Sequence, residues 1–406
     1  MNIGIVTTWF ERGASYVSKS FRDALILNNE NDVFIFVRGG EQYAIGDKNW
    51  DYENVFWSKR RNIPSVGMVI DKDDFNNWIK ENKIELVIFN EQHWFIPLLW
   101  CKELNVKTIA YIDYYTAETI PLFDIYDAVI CNTKRHFTAF RNHKEVFYLP
   151  WGTQLDVFKP TNSDLVNSEV VTFFHSCGRD KNRKGADLIL KVFDRINADF
   201  KLIIHTQVEF KEFEHLKLIK SLQEKNKLEI ICNTVTAPGL FFLGDIYVYP
   251  SRLEGVGLTI AEALASGLGL VTTDMAPMNE FSNEKNSLLV NVLYQYSRAD
   301  AYYWPMCEID LDDLQNKLES LCHNKQKVVE MKMQARIYSE QFLDVKKNLT
   351  ALNDIVGKVQ FTVLEEKLKN KILSYEKKGL KKYSRFYLQF YCIYNFLRRI
   401  KRKLEK

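Results

Sequence analysis

The chain has few of the residues that staple or break a fold. Its seven cysteines, Cys101, Cys131, Cys177, Cys232, Cys307, Cys322 and Cys392, are scattered, odd in number and contain no C-x-x-C pair. That excludes a disulfide framework and a cysteine-built zinc site, and it fits a reducing compartment. With 9 prolines and 17 glycines in 406 residues, a low-complexity or collagen-like chain is also excluded. No apolar run reaches the ~18 uninterrupted residues of a membrane-spanning helix. The start, Met1-Asn2-Ile3-Gly4-Ile5-Val6, lacks the basic-then-apolar order of a secretion signal and reads as a strand.

What is present is a chain of ordinary globular composition, 46% hydrophobic and 26% charged. Its net charge of +3 hides an uneven distribution. Residues 361–406 carry 14 Lys/Arg against 4 Asp/Glu, whereas the first 360 residues carry 41 basic and 48 acidic groups. An acidic body with a basic tail favours an anionic partner at the tail end.

Short β-branched and aromatic runs alternate with helical segments over the first 300 residues. Six stand before residue 150: Ile3–Thr7, Val33–Val37, Leu86–Phe89, Thr108–Ile112, Ala128–Cys131 and Val146–Leu149. Six follow: Val171–His175, Leu202–His205, Leu228–Ile231, Ile246–Tyr249, Gly269–Thr272 and Leu288–Val290. Runs with no polar alternation are strands buried on both faces, which implies parallel sheets covered by helices. Pro150-Trp151-Gly152-Thr153 marks the boundary between two similar α/β units. Beyond about residue 310 the pattern becomes helical, over Asp310–His323, Lys325–Phe342, Asp344–Val359 and Val363 to about Ile400.

The stretch from Asp245 to Gly267 carries the chemistry. An apolar strand ends at Tyr249, Pro250-Ser251 turns, Glu254-Gly255-Val256-Gly257 forms a glycine loop, and a helix starts near Leu258 and ends at Gly267. Strand, glycine loop and helix start together make an anion cradle, because the first helical N–H groups are unpaired and glycine permits close approach. Glu262 has a second reading, since Thr259-x-x-Glu262 also matches a capping box.

This stretch resembles the signature of the retaining glycosyltransferases of family 4, P-S-x-x-E-G-x-G-x-x-x-x-E followed by A-x-A-x-G, in which two glutamates stand in an E-x7-E spacing. Pro250, Ser251, Glu254, Gly255, Gly257, Glu262, Ala263, Ala265 and Gly267 all fit. Gly178-Arg179 and Lys184-Gly185 are similar to the family's G-R-x-x-x-x-K-G segment. Pro150 to Pro160 resembles its interdomain segment, with Trp151 in place of the usual asparagine. The resemblance implies a GT-B fold, two Rossmann-like parallel-sheet domains facing a cleft, with a helical C-terminal tail. It implies an acceptor domain over 1–150, a donor domain over 151–340, a helix returning to the N-terminal domain over 341–360, and a basic aromatic tail over 361–406.

By resemblance Glu254 sits at the donor sugar, Glu262 binds the ribose, and the loop Gly255, Val256, Gly257, Leu258 and Thr259 holds the diphosphate. Arg179 and Lys184 would neutralise the leaving group, a charge that fixed cations must stabilise. The family's double-glycine loop after the first strand is reduced here to Gly13. Its N-terminal histidine is unmatched; Asp113 stands in that region, and His93 follows another strand end. No D-x-D pair follows a strand in the manner of a metal-held diphosphate, so metal independence is expected, and the resemblance implies a retaining hexosyl transfer without a cofactor.

The tail, Lys377 to Lys403, places an aromatic segment between clusters of lysine and arginine. Such a segment suits the headgroup layer of an anionic membrane and is too short to span it. Expected partners are therefore a nucleotide-sugar donor, a glycan or lipid-linked acceptor of cell-surface glycan assembly, and an anionic membrane surface, with no nucleic acid. Expected localisation is cytoplasmic and peripheral on the inner face of the membrane. The rival readings are an epimerase of the same fold, a partner subunit that keeps the fold without the activity, and a membrane-associated scaffold. Residues 39–64, long and aromatic, are the candidate acceptor contacts.

Overall fold

The structure is a computed structural model describing residues 1–27, 31–39, 42–59, 70–161 and 170–382. The chain divides into two compact units. One comprises residues 1–131, 137–148 and 350 onward, and the other residues 132–136 and 149–349.

The first unit is built on β1 (Asn2–Thr7), α1 (Gly13–Ile26), β2 (Asp32–Val37), β3 (Val55–Trp57), α2 (Lys72–Glu81), β4 (Leu86–Asn90), α3 (Ile96–Glu103), β5 (Lys107–Tyr111), β6 (Ala128–Cys131), α4 (Lys134–Phe140, of which 134–136 belong to the second unit) and β7 (Val146–Tyr148). Its seven strands pair in parallel in the order β3-β2-β1-β4-β5-β6-β7. Every residue of β4 and of β6 is buried, as unalternating apolar runs require. α2 begins where the Asp71 carboxylate accepts from the backbone N–H groups of Asp73 and Asp74.

The second unit repeats the plan with β8 (Val171–Gly178), α5 (Ala186–Arg195), β9 (Phe200–Thr206), α6 (Phe213–Glu224), β10 (Leu228–Cys232), β11 (Ile246–Tyr249), α7 (Leu258–Ala265), β12 (Gly269–Thr273) and β13 (Ser287–Val290). The six strands are parallel in the order β10-β9-β8-β11-β12-β13. Leu188, Ile189, Val192 and Phe193 of α5 pack with Phe173, Leu202 and Val248 on one face of this sheet. Ile260 and Leu264 of α7 pack with Tyr247, Tyr249 and Leu270 on the other.

An antiparallel hairpin, β14 (Val292–Tyr296) and β15 (Met306–Ile309), follows. Then come α8 (Leu311–Cys322), α9 (Lys325–Phe342), α10 (Val345–Asn348), α11 (Ala351–Lys358) and α12 (Glu366–Lys382). Two Rossmann-like units with a helical C-terminal region are the expected GT-B plan. The single helix expected over Asp344–Val359 is instead two, α10 and α11, because the chain passes from one unit to the other between Leu349 and Thr350. β3 and the hairpin also lie outside the expected strands. β3 has only three residues, and β14 is largely exposed, so neither shows the buried apolar run by which the other strands are read. Of the basic aromatic tail, residues 383–406 lie outside the described residues, as do 40–41 and 60–64 of the candidate acceptor segment.

Candidate donor site

In the second unit the strand order reverses between β8 and β11, which are hydrogen-bonded neighbours. The loops leaving their carboxyl ends therefore emerge side by side, at the switch point where open α/β sheets bind ligands. Two motifs about 70 residues apart in sequence meet for this reason.

Glu254 lies at their junction. Its Oε1 accepts from the Ser251 hydroxyl at 2.7 Å, Lys184 Nζ at 2.7 Å, the Tyr249 hydroxyl at 2.8 Å and Arg183 Nη1 at 3.2 Å. Burial alone would raise the pKa of this carboxyl, but the charges of Lys184 and Arg183 outweigh it and hold the pKa near 2. Glu254 is thus a fixed carboxylate. All four bonds fall on one oxygen; among the described residues Oε2 accepts none. That arrangement leaves a rigid acceptor for a ligand hydroxyl. Lys184 also donates to the Tyr249 hydroxyl, and burial lowers its own pKa.

The two loops are joined through their backbones. Gly185 has φ +79°, and a Cβ there would stand 2.3 Å from the Pro250 carbonyl oxygen, so the Lys-Gly step admits only glycine. Arg252 N–H donates to the Arg183 carbonyl at 2.8 Å. The Arg252 guanidinium binds both oxygens of Asp187 at 2.8 and 2.9 Å and both of Glu308 at 2.6 and 3.0 Å. This residue ties the glutamate loop to α5 and to the hairpin at once.

Downstream, Gly257 caps α7 with φ +94° and no side-chain bond. Thr259 is therefore the second helical residue rather than the cap, which removes the capping-box reading of Glu262. Glu262 instead lies one turn into α7 in a desolvated recess. Burial raises its pKa to about 7, against the opposing pull of Lys184. Gly255, Val256, Gly257, Leu258 and Thr259 form the turn into that helix.

Of the residues expected here, Glu254 and Lys184 come together and Glu262 stands near Lys184. Arg179 does not join them: it is exposed at the start of its loop. The cation on Glu254 beside Lys184 is Arg183. Sequence matching passed over Arg183 because its place in the G-R-x-x-x-x-K-G segment is a variable one. A helical-turn offset from Asp180, which accepts from Arg183 Nε at 3.1 Å, is the only signal that marks it.

Gly13 and Asp113 belong to the first unit. Gly13 is the exposed first residue of α1. Asp113 follows β5 and pairs with His93 Nε2 at 3.3 Å, so the two candidates for one role stand together. Glu91, between β4 and His93, pairs with Arg12 at 3.1 Å; its pKa is raised by burial and by Asp113. These groups cluster at the carboxyl ends of β1, β4 and β5, the switch point of this sheet.

Residues 170–301 match the family model described as Glycosyl transferases group 1. A protein of Sulfolobus islandicus rod-shaped virus 1, described as uncharacterized glycosyltransferase 335, is 24% identical over 148 residues. That match takes in 34% of this chain and spans 42% of the length of the viral protein. Among solved structures, HepE of Anabaena in complex with UDP and glucose is similar with a TM-score of 0.66 at 14% identity, over 88% of this chain and 99% of that one. A glycosyltransferase from Rickettsia africae is similar with a TM-score of 0.67 at 15% identity, over 88% and 99%. At these identities the likeness is one of fold, and it covers both units of the chain.

Proposed function

We propose that the chain is a retaining, metal-independent glycosyltransferase that moves a hexosyl group from a nucleoside diphosphate sugar to an acceptor hydroxyl in cell-surface glycan or glycolipid synthesis. The observation that carries this reading is the fixed Glu254 carboxylate, saturated on one oxygen and open on the other, beside Lys184, Arg183 and the glycine turn into α7. UDP is the first nucleotide to test, because HepE of Anabaena binds it on the same fold.

In the proposed reaction the bond from the anomeric carbon to the β-phosphate oxygen breaks, and the acceptor oxygen bonds to that carbon on the same face. The acceptor proton passes to the departing phosphate oxygen, and a nucleoside diphosphate leaves. Glu254 Oε2 receives a sugar hydroxyl, and its charge favours the cationic transition state. Lys184, released from Glu254, pairs with the departing diphosphate with help from Arg183 and Arg179. Glu262 accepts from the ribose hydroxyls. The backbone N–H groups of Val256 to Thr259 bind phosphate oxygens.

Calorimetric titration with UDP, GDP and ADP in the presence of EDTA tests the donor site. One nucleotide binding wild type, and binding Glu262→Ala at least about tenfold more weakly, is the expected result, since a lost hydrogen bond to a charged group is worth about 1.5–3 kcal/mol. No binding by any of the three at millimolar concentration overturns the reading. Proton NMR of the sugar released to water from the matching nucleotide sugar reads the stereochemistry. The first-formed anomer should keep the donor configuration.

A further inference from the structure

Residues 132–136 follow β6 in the chain yet belong to the second unit. They meet the glutamate loop through its carbonyl groups. The Arg135 guanidinium donates from Nη2 to the Glu254 carbonyl and from Nη1 to the Ala276 carbonyl at 2.8 Å. It also lies 5.1 Å from the centre of the Trp304 ring. His136 Nε2 stands 3.1 Å from the carbonyl oxygen of Gly255. Burial, with the charge of Arg135, lowers the His136 pKa to about 3, so the ring is neutral and Nε2 must carry the proton it donates to that carbonyl. The segment is itself anchored: Glu280 accepts from the backbone N–H of Lys134 at 2.6 Å and of Arg135 at 2.9 Å.

Two successive carbonyls, those of Glu254 and Gly255, are thus held by two successive side chains. Both peptide bonds are trans, since the cis bonds of the described chain precede Pro238 and Pro277. In a planar trans unit the N–H points opposite to the C=O. Fixing these carbonyls therefore turns the N–H groups of Gly255 and Val256 to the side away from Arg135 and His136. Among the described residues neither N–H has an acceptor. Adjacent, unpaired N–H groups at a glycine turn form an anion-binding concavity, and they lead directly into the N-terminus of α7.

We infer that Arg135 and His136 are positioning residues that shape the diphosphate-binding turn from behind, through its carbonyls, without touching the nucleotide. This rests on the proposed donor reading of the Glu254 loop. A guanidinium suits the task because its planar fork spans the carbonyls of Glu254 and Ala276 together, which a lysine ammonium cannot do.

The consequence is specific to phosphate. The clamp sets the direction of N–H groups that meet the diphosphate; the nucleoside is read elsewhere, with the ribose at Glu262. The test uses whichever of UDP, GDP and ADP binds wild type, titrated beside its own nucleoside, which lacks phosphate. For Arg135→Ala the diphosphate affinity should fall about tenfold or more while the nucleoside affinity stays within about twofold, the size of one lost charged-group hydrogen bond. Arg135→Lys should fall between the two. His136→Gln, which keeps an N–H donor near the Gly255 carbonyl, should stay close to wild type, and His136→Ala should not. Unchanged diphosphate affinity in Arg135→Ala and His136→Ala overturns the inference. So does an equal loss of diphosphate and nucleoside binding in Arg135→Lys and His136→Ala, which would make the contacts merely structural. Failure of wild type to bind any of the three diphosphates overturns the donor reading first and this inference with it.

Discussion

Glu254 and Glu262 lie eight residues apart and are driven in opposite directions by their surroundings. Glu254 faces two cations and ionises near pH 2, so its contribution to stability is complete above the ordinary carboxyl range and is lost as pH falls towards 2. Glu262 is half-buried by solvent exposure but strongly desolvated at its carboxyl, with Lys184 the opposing charge, and its pKa rises to about 7. The sign is then reversed: the fold favours the protonated form, and its stability is eroded as pH rises from about 4.5 through 7, where the unfolded chain ionises and the folded chain resists. A ribose-binding role demands the ionised acceptor. Nucleotide affinity of wild type should therefore rise between pH 6 and pH 8, and Glu262→Gln should flatten that dependence. The same variant should melt with wild type at pH 5 and above it at pH 8, measured by calorimetry without nucleotide. A constant difference at both pH values would show that Glu262 does not titrate in this window. A desolvated carboxylate retained against stability fits a binding site.

The elements themselves were the most legible part of the sequence. Parallel strands buried on both faces, such as Leu86–Asn90 and Ile246–Tyr249, declare themselves by uninterrupted apolar runs. The glycine turn and the α7 start were equally plain. Contacts across the fold were not, because pairing of loops follows from strand order rather than from local pattern. Arg183 was hidden inside a basic cluster, and with β8 beside β11 it is Arg183 rather than Arg179 that reaches Glu254. Arg135 and His136 carry no motif at all; their role depends on a peptide orientation 119 residues away. The backbone contact between the two loops gives a prediction at this scale. Gly185→Ala adds a Cβ 2.3 Å from the Pro250 carbonyl at a left-handed residue, and the loops must part. The left-handed conformation alone costs roughly 1–2 kcal/mol for a residue with a side chain, or several degrees of melting temperature in a unit of this size. Nucleotide affinity should fall with it, because Lys184 and Glu254 move apart. Gly239→Ala, at φ +74° and with no neighbour closer than 3.9 Å, supplies the comparison: it carries the backbone cost without the displacement of the loops, so it should lower the melting temperature while nucleotide affinity holds.

For the whole molecule, the charge asymmetry is the feature that composition alone discloses: 14 basic residues against 4 acidic ones after residue 360. In the first unit, α12 packs through Ile372, with the Glu376 carboxylate accepting from the Phe95 N–H at 2.8 Å. Its root is fastened by a buried pair, since Asp127 takes Lys102 Nζ at 2.6 Å and the Thr362 N–H at 2.7 Å. Lys367 and Lys371 of this helix line a recess with Lys102 and Lys144. The helix is thus a fixed base that carries the chain into the aromatic and basic residues from 383 onward. Among the described residues, no helix is long and apolar enough to cross a membrane. We propose that residues 383–406 bind an anionic bilayer surface, each lysine or arginine near it contributing about 1 kcal/mol and the aromatic side chains entering the headgroup layer. A chain ending at Lys382 keeps α12 and its packing, so it should retain the melting temperature and nucleotide affinity of the full chain. In sedimentation with phosphatidylglycerol vesicles at low salt, the full chain should pellet and the shortened chain should remain in the supernatant. With phosphatidylcholine vesicles both should remain in solution. Equal pelleting of the two chains on anionic vesicles would move the membrane contact onto the body of the protein, where the lysines of α12 and its recess would become the groups to reverse in charge.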